Sequence, residues 1–214
     1  MLPHCNKRRR NKRVPRLFLV SLVCLAFALN ARPGVAEGAV EAVLPPAVAG
    51  PERYEITIDK GARSLVVTEN GRIVERYRIS WGRGGKGDKL KEGDRRTPVG
   101  TYRIVDFNER SRFALFMHLN YPNVKDAFFG LKNGIISRQQ FDDIIEALRE
   151  RRIPPQDTPL GGAIGIHGLG AYDARKLRIH KNMNWTEGCI AMTNQEIHDL
   201  RRYVDIGTKV VIRE

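Results

Sequence analysis

The chain has 214 residues, 42% of them hydrophobic, with 37 Lys and Arg against 24 Asp and Glu, for a formal charge of +13. That length suits one domain with a proper core. Eight of the cations and none of the acids lie in residues 1–36, so the excess sits mostly in the N-terminal segment and argues against a nucleic-acid binder.

That segment has a basic block from Lys7 to Arg16, a 13-residue apolar run from Leu17 to Leu29, and Gly34 and Ala36 before Glu37. This is the layout of a secretory signal peptide. Because a membrane-spanning helix needs about 20 apolar residues, residues 1–36 are expected to be cleaved, with an uncleaved anchor as the alternative. The product would be exported by the general secretory route and would meet the membrane only through that segment before cleavage. Its charge falls to +5, which suits a soluble protein near an acidic polymer. Residues 37–53, rich in Ala, Val, Pro and Gly, read as a flexible lead-in, and the folded domain is expected over residues 54–214.

Within that domain, "YEITIDK" alternates as a strand does, and "SLVVTENGRIVERYRIS" reads as two strands joined by Asn70-Gly71, the strongest short hairpin signal. "RRTPVGTYRIVDF" adds a turn at Pro98 to Gly100 and another strand. "ISRQQFDDIIEALRERR" then sets Phe141, Ile144, Ile145 and Leu148 on one helical face behind a Ser137-x-x-Gln140 capping box. "GGAIGIHG" is a short buried-type strand, "TNQEIHDLRRYV" a helix with a Thr193-x-x-Glu196 box, and "TKVVIRE" a closing strand. The fold class is mainly β with inserted helices, α+β, largely antiparallel.

Cys5 and Cys24 leave with the signal segment, so Cys189 stands alone in an oxidising compartment. It is either buried and inert or kept for its reactivity. A reactive thiol needs a base that favours the thiolate. His198 reads as part of a solvated helix face, His180 as a loop residue among cations, and His118 as either facing a groove or ending a strand. His167 ends an apolar strand and precedes a glycine, so its imidazole emerges where a substrate can approach. Zinc held by Cys189, His167 and His180 finds no compact ligand spacing, and neither a metal nor any other cofactor is expected.

His167-Gly168 followed by "TEGCIAM", Thr186 to Met192, resembles the His-Gly and Ser/Thr-x-Gly-Cys signature of the L,D-transpeptidase catalytic domain (YkuD-type) family. The stretch "GDKLKEGDRRTPVGTYRI" and the stretch "HLNYPNVKD" extend the resemblance from about Tyr54 to the end. It implies an antiparallel β-sandwich or barrel-like fold and a cysteine enzyme acting on peptidoglycan stem peptides through an acyl-enzyme. Cys189 would be the nucleophile and His167 its base, with the Gly168 carbonyl orienting the imidazole. The N–H groups of Gly188 and Cys189 would face the oxyanion, and Thr186 would brace the turn. His118, Tyr121, Trp185, Glu187 and Arg175 are candidate substrate contacts. Two positions depart from the family pattern: Glu187 stands where His is common, and Ala191 where Arg is. The acceptor is therefore open among diaminopimelate, a lipoprotein lysine and water. The alternatives are a peptidoglycan amide hydrolase of the same fold or a non-catalytic wall-binding protein.

Overall fold

The computed structural model describes residues 53–214. The signal segment, Cys5, Cys24 and the lead-in up to residue 52 lie outside the described residues. In chain order the elements are β1 (Tyr54–Asp59), β2 (Ser64–Glu69), β3 (Arg72–Arg78), β4 (Gly100–Asn108), β5 (Phe116–Leu119), α1 (Val124–Lys132), α2 (Arg138–Arg149), β6 (Gly165–His167), α3 (Ala174–Asn182), β7 (Ile190–Ala191), α4 (Asn194–Leu200) and β8 (Lys209–Arg213).

The eight strands form one sheet in the order β3-β2-β1-β8-β4-β5-β6-β7. Asn70 and Gly71 both take positive φ, 49° and 80°, the backbone that a tight β2–β3 hairpin requires. Most pairs are antiparallel, but β1–β8 and β6–β7 run parallel. Those two pairs join strands distant in sequence or separated by α3, which alternation alone does not reveal. The ends of the sheet meet just beyond β3: Ser80 pairs with Ala191 and Gly82 with Thr186, so the sheet curls into a barrel-like shape. Inward-facing Ile56, Ile58, Leu65, Val67, Ile104, Met117, Ile166, Ile190 and Val210 are fully buried; burial of each side chain is worth about 1.5–3 kcal/mol.

A second apolar cluster joins α1 to α2 through Ala127, Ile136, Ile144, Ile145 and Leu160, with Phe141 and Leu148 packed against it. The expected face of α2 is thus the buried one, and its Ser137–Gln140 capping box is formed. Helix α1 was not expected. Its capping box is built by Asn123 and Asp126, which do the work of Ser/Thr and Glu/Gln with other side chains. Helix α3 corrects the reading of His180 as a loop residue. Asp173 accepts from the Lys176 N–H at its start, and the Arg63 guanidinium donates to His180, Lys181 and Met183 carbonyls at its end. Its composition has too few apolar residues to show a helical stripe, and its C-terminal end is capped from elsewhere in the chain. Among the described residues no helix is long and apolar enough to cross a membrane.

Lys60, at the end of β1, is 1% exposed. Its ammonium donates to the carbonyls of Gly87 (2.8 Å) and Thr97 (3.3 Å) and to Glu214 Oε2 (3.1 Å), and lies 5.0 Å from the Trp81 ring centroid. One cation thereby pins the long segment between β3 and β4 to the barrel end. Lys60→Met keeps the bulk and removes the donors, leaving carbonyls unpaired in a buried site. Urea unfolding is expected to show a loss of about 2–3 kcal/mol.

Candidate active site

Strands β6 and β7 place the two central side chains. Their parallel register pairs Ile166 with Ile190 and His167 with Ala191, so Cys189 comes level with Gly165, on the same face as His167. Ile166 and Ile190 turn the other way, into the core. The turn before Cys189 is braced by Thr186, whose hydroxyl donates to the Cys189 carbonyl at 2.6 Å and accepts from the Gly188 N–H at 3.2 Å. Gly188 has φ +140°, and a Cβ there would stand 2.9 Å from the Arg96 carbonyl oxygen and 3.0 Å from Ile164, so only glycine fits this turn. Because the Gly188 N–H is engaged by Thr186, it is not open to an oxyanion.

His167 is 3% exposed. Its Nδ1 donates to the Gly168 carbonyl at 2.6 Å, which leaves Nε2 as the nitrogen that can accept a proton. The ring lies among aromatics: Phe113 at 4.3 Å, Phe116 at 6.1 Å and Trp185 at 6.1 Å between centroids. Burial pushes its pKa down to about 4, outweighing the Gly168 bond, and the cations Lys176 and Arg112 act in the same direction as burial. Cys189 keeps part of its surface open, yet its sulfur is packed among protein atoms and donates to the Ala163 carbonyl at 3.2 Å. Burial pushes the thiol up to about 11, against a backbone contact with Gly165 and the Lys89 ammonium, which pull it down. The resting site therefore holds a neutral thiol and a neutral imidazole. A thiolate–imidazolium pair here would have to be desolvated on both sides.

The remaining candidates divide. Trp185 faces His167, with its Nε1 buried and without a partner among the described residues. His118 is half-buried on β5, its Nε2 3.1 Å from Gln156 Oε1. Glu187 sits on the rim, paired with Arg83 and Arg95. Arg175 is exposed on α3. Tyr121 is corrected: it is fully buried, and its hydroxyl donates to the Leu160 carbonyl at 2.9 Å, so it belongs to the core. His180 is corrected as well, being 2% exposed on α3. His198 is exposed on α4. Among the described residues no group of three or more His, Cys, Asp or Glu is arranged to hold a metal.

Sequence reasoning missed Phe113, Phe116, Ala163, Lys89 and Gln156. Gln156 is central to the wall beside the thiol: its Oε1 accepts from the Ala163 N–H at 2.6 Å, and its Nε2 donates to Tyr121 and Pro154 carbonyls. Ala163 is held at φ +52°, which presents its carbonyl to the sulfur. The only sequence hint was the Gly161-Gly162 pair preceding it.

Over residues 53–212 the chain matches the family described as the L,D-transpeptidase catalytic domain, YkuD. No match is found among curated proteins. Among solved structures it is similar to Bd1075 of Bdellovibrio bacteriovorus, at 21% identity over 75% of this chain and 48% of that one, with a TM-score of 0.46. It is similar to the helical cell shape determining protein Pgp2 of Campylobacter jejuni at 22% identity over 76% and 48%, TM-score 0.49. A third is an L,D-transpeptidase of Xylanimonas cellulosilytica, at 15% identity over 79% and 63%, TM-score 0.42. The chain spans about half the length of the first two.

Two measurements check the electrostatics of the site. In the absence of substrate, alkylation of Cys189 by iodoacetamide is expected to be slow at pH 7 and to rise about tenfold per pH unit up to pH 10, following the thiolate fraction. Fast alkylation that is flat from pH 6 to 9 would instead reveal a preformed ion pair. For His167 the folded pKa lies below the ordinary value of 6.5, so the unfolded chain binds the proton first and stability falls as pH drops through that window to about 4. Urea titrations at pH 7 and pH 4 should differ by about 3 kcal/mol from this group, and His167→Gln should remove that part of the difference.

Proposed function

Since the chain belongs to the L,D-transpeptidase catalytic-domain family, a family whose members act on peptidoglycan stem peptides, we propose that it is a cysteine L,D-transpeptidase with Cys189 as nucleophile. The observation that carries this reading is the shared face of β6 and β7, with Cys189 beside a His167 whose Nδ1 is fixed on Gly168.

The thiol leaves the Ala163 carbonyl, and His167 Nε2 takes its proton as Sγ attacks the carbonyl of an L-to-D amide in the stem peptide. The C–S bond forms, the C–N bond breaks, and the same proton passes to the departing D-residue's amine. Of the two backbone donors considered for the oxyanion, the Cys189 N–H is the one assigned; a donor of this kind contributes about 3–4 kcal/mol. An acceptor then takes the acyl group: the amine of a second stem gives a cross-link, a lipoprotein lysine an anchored protein, and water a trimmed peptide.

The signal segment supports export and a periplasmic or wall-associated location, where stem peptides are found. The description of Pgp2 as a cell shape determinant suggests the same arena for this chain. Glu187 and Ala191, at odds with the family pattern, favour hydrolysis as the second reading of the acyl-enzyme's fate.

The test is incubation of the purified protein with a tetrapeptide muropeptide, followed by mass spectrometry alongside Cys189→Ala. Cross-linked dimers that require Cys189 are the expected result, and shortened monomers that require it would establish the hydrolase. Identical spectra from the two proteins would sink the enzymatic reading and favour a wall-binding protein.

A further inference from the structure

His118 lies in a row of residues that crosses four strands. It pairs with Asp106 on β4 and with Gly165 on β6, and Gly165 is level with Cys189. Strand alternation puts Phe116, His118 and His167 on one face, while Met117 and Leu119 are fully buried on the other. Two strand spacings separate the backbones of His118 and Cys189, about 10 Å, and the position between them carries no side chain. A Cβ at Gly165 would meet Phe116 Cζ and the Met117 carbonyl oxygen at 2.5 Å. The gap is therefore floored by the Phe116 ring, which also stands edge-on to His118 at 5.7 Å.

Gln156 fixes the state of this histidine. Its Nε2 donates to two carbonyls and its Oε1 accepts from the Ala163 N–H, so the amide cannot be flipped without setting donor against donor. The His118 nitrogen facing Oε1 must then be an N–H. That places the lone pair on Nδ1, which has no hydrogen-bond partner among the described residues. Burial lowers the His118 pKa, outweighing the Gln156 bond and the Asp106 carboxylate, which raise it, so the imidazole is neutral at pH 7. Asp106, Gln156 and Phe116 are the groups that face it.

The acyl transfer leaves a proton without a destination. An amine acceptor arrives as an ammonium ion, loses one proton to become nucleophilic, and loses another as the C–N bond forms and the C–S bond breaks. One of these returns through His167 to the departing sulfur. The other needs a second base. Water as acceptor makes no such demand, since its second proton stays with the carboxylic acid and is lost to solvent. Resting on the acyl-enzyme reading above, we propose that His118 is the base that deprotonates the acceptor ammonium, with Asp106 drawing the cation in and stabilising the imidazolium.

The experiment supplies a tetrapeptide donor and diaminopimelate as acceptor, and compares the protein with His118→Gln. Intact-protein mass spectrometry follows the Cys189 acyl-enzyme, and product analysis gives the ratio of amide transfer to hydrolysis. The expected result is that the variant still acylates, that its transfer-to-hydrolysis ratio at pH 7 falls at least tenfold, and that the ratio recovers as pH approaches the amine's own pKa near ~10. Asp106→Asn, at an exposed position, should lower the ratio in the same direction and serves if His118→Gln does not fold. An unchanged ratio in either folded variant, or one that falls without recovery at high pH, overturns the role of His118 alone. Absence of any acyl-enzyme in the unaltered protein overturns the reading on which it rests.

Discussion

Two backbone hydrogen bonds between Ser80 and Ala191, 3.0 and 2.7 Å long, hold the two ends of the sheet together. Everything around the site hangs from that join. It brings the start of the segment after β3 against the turn that carries the thiol, where the Arg83 N–H meets the Thr186 carbonyl at 2.9 Å and the Thr186 N–H reaches Trp81. The Ser80 hydroxyl donates to His180 and accepts from Arg63, so the same residue anchors the end of α3. Approach is close enough that a Cβ at Gly82 would stand 2.3 Å from the Arg95 carbonyl oxygen. Without the join, β7 would be a two-residue strand on a free edge, too short to hold Cys189 in place.

The chemistry follows from how dry that junction is. A thiol and an imidazole in water would sit near pKa values of 8.5 and 6.5; here burial drives them apart in the directions that keep both neutral. What is fixed at rest is geometry, with the His167 Nδ1 tied to Gly168 and the Cys189 sulfur resting on Ala163. A neutral, half-covered thiol is also a safer thiol, because oxidation proceeds through the thiolate.

Much of this was legible in the residues. The β2–β3 hairpin could be read from Asn70-Gly71, and α2 from its apolar face and capping box, because each is a local signal. The pairing of β1 with β8 was not, since it joins residues more than 150 apart and leaves no local trace. Helix α3 escaped for a related reason: Asp173 caps its start, but the groups that cap its end, Arg63 and Ser80, lie about a hundred residues upstream. At the site, the histidine-glycine and glycine-cysteine pairs stood out because their chemistry is unusual. Gln156, Ala163 and Phe116 did not, because a glutamine, an alanine or a phenylalanine gains meaning only from what the fold sets beside it. Tyr121 was misplaced for the opposite reason. A tyrosine near a suspected groove looks like a contact until its hydroxyl is found spent on a buried carbonyl.

The position of β8 carries a kinetic consequence. It is last in chain order, yet it lies between β1 and β4 near the middle of the sheet, paired with both. Until residues 209–213 are made, β1–β3 and β4–β5 lack the strand that lies between them, and the two halves of the sheet meet at the far edge, through Ser80 and Ala191. Closure thus depends on a contact of very high sequence separation, the kind that folds slowly. A nascent chain so arranged cannot complete its sheet until β8 has been made, so the barrel closes after synthesis of the domain and not during it.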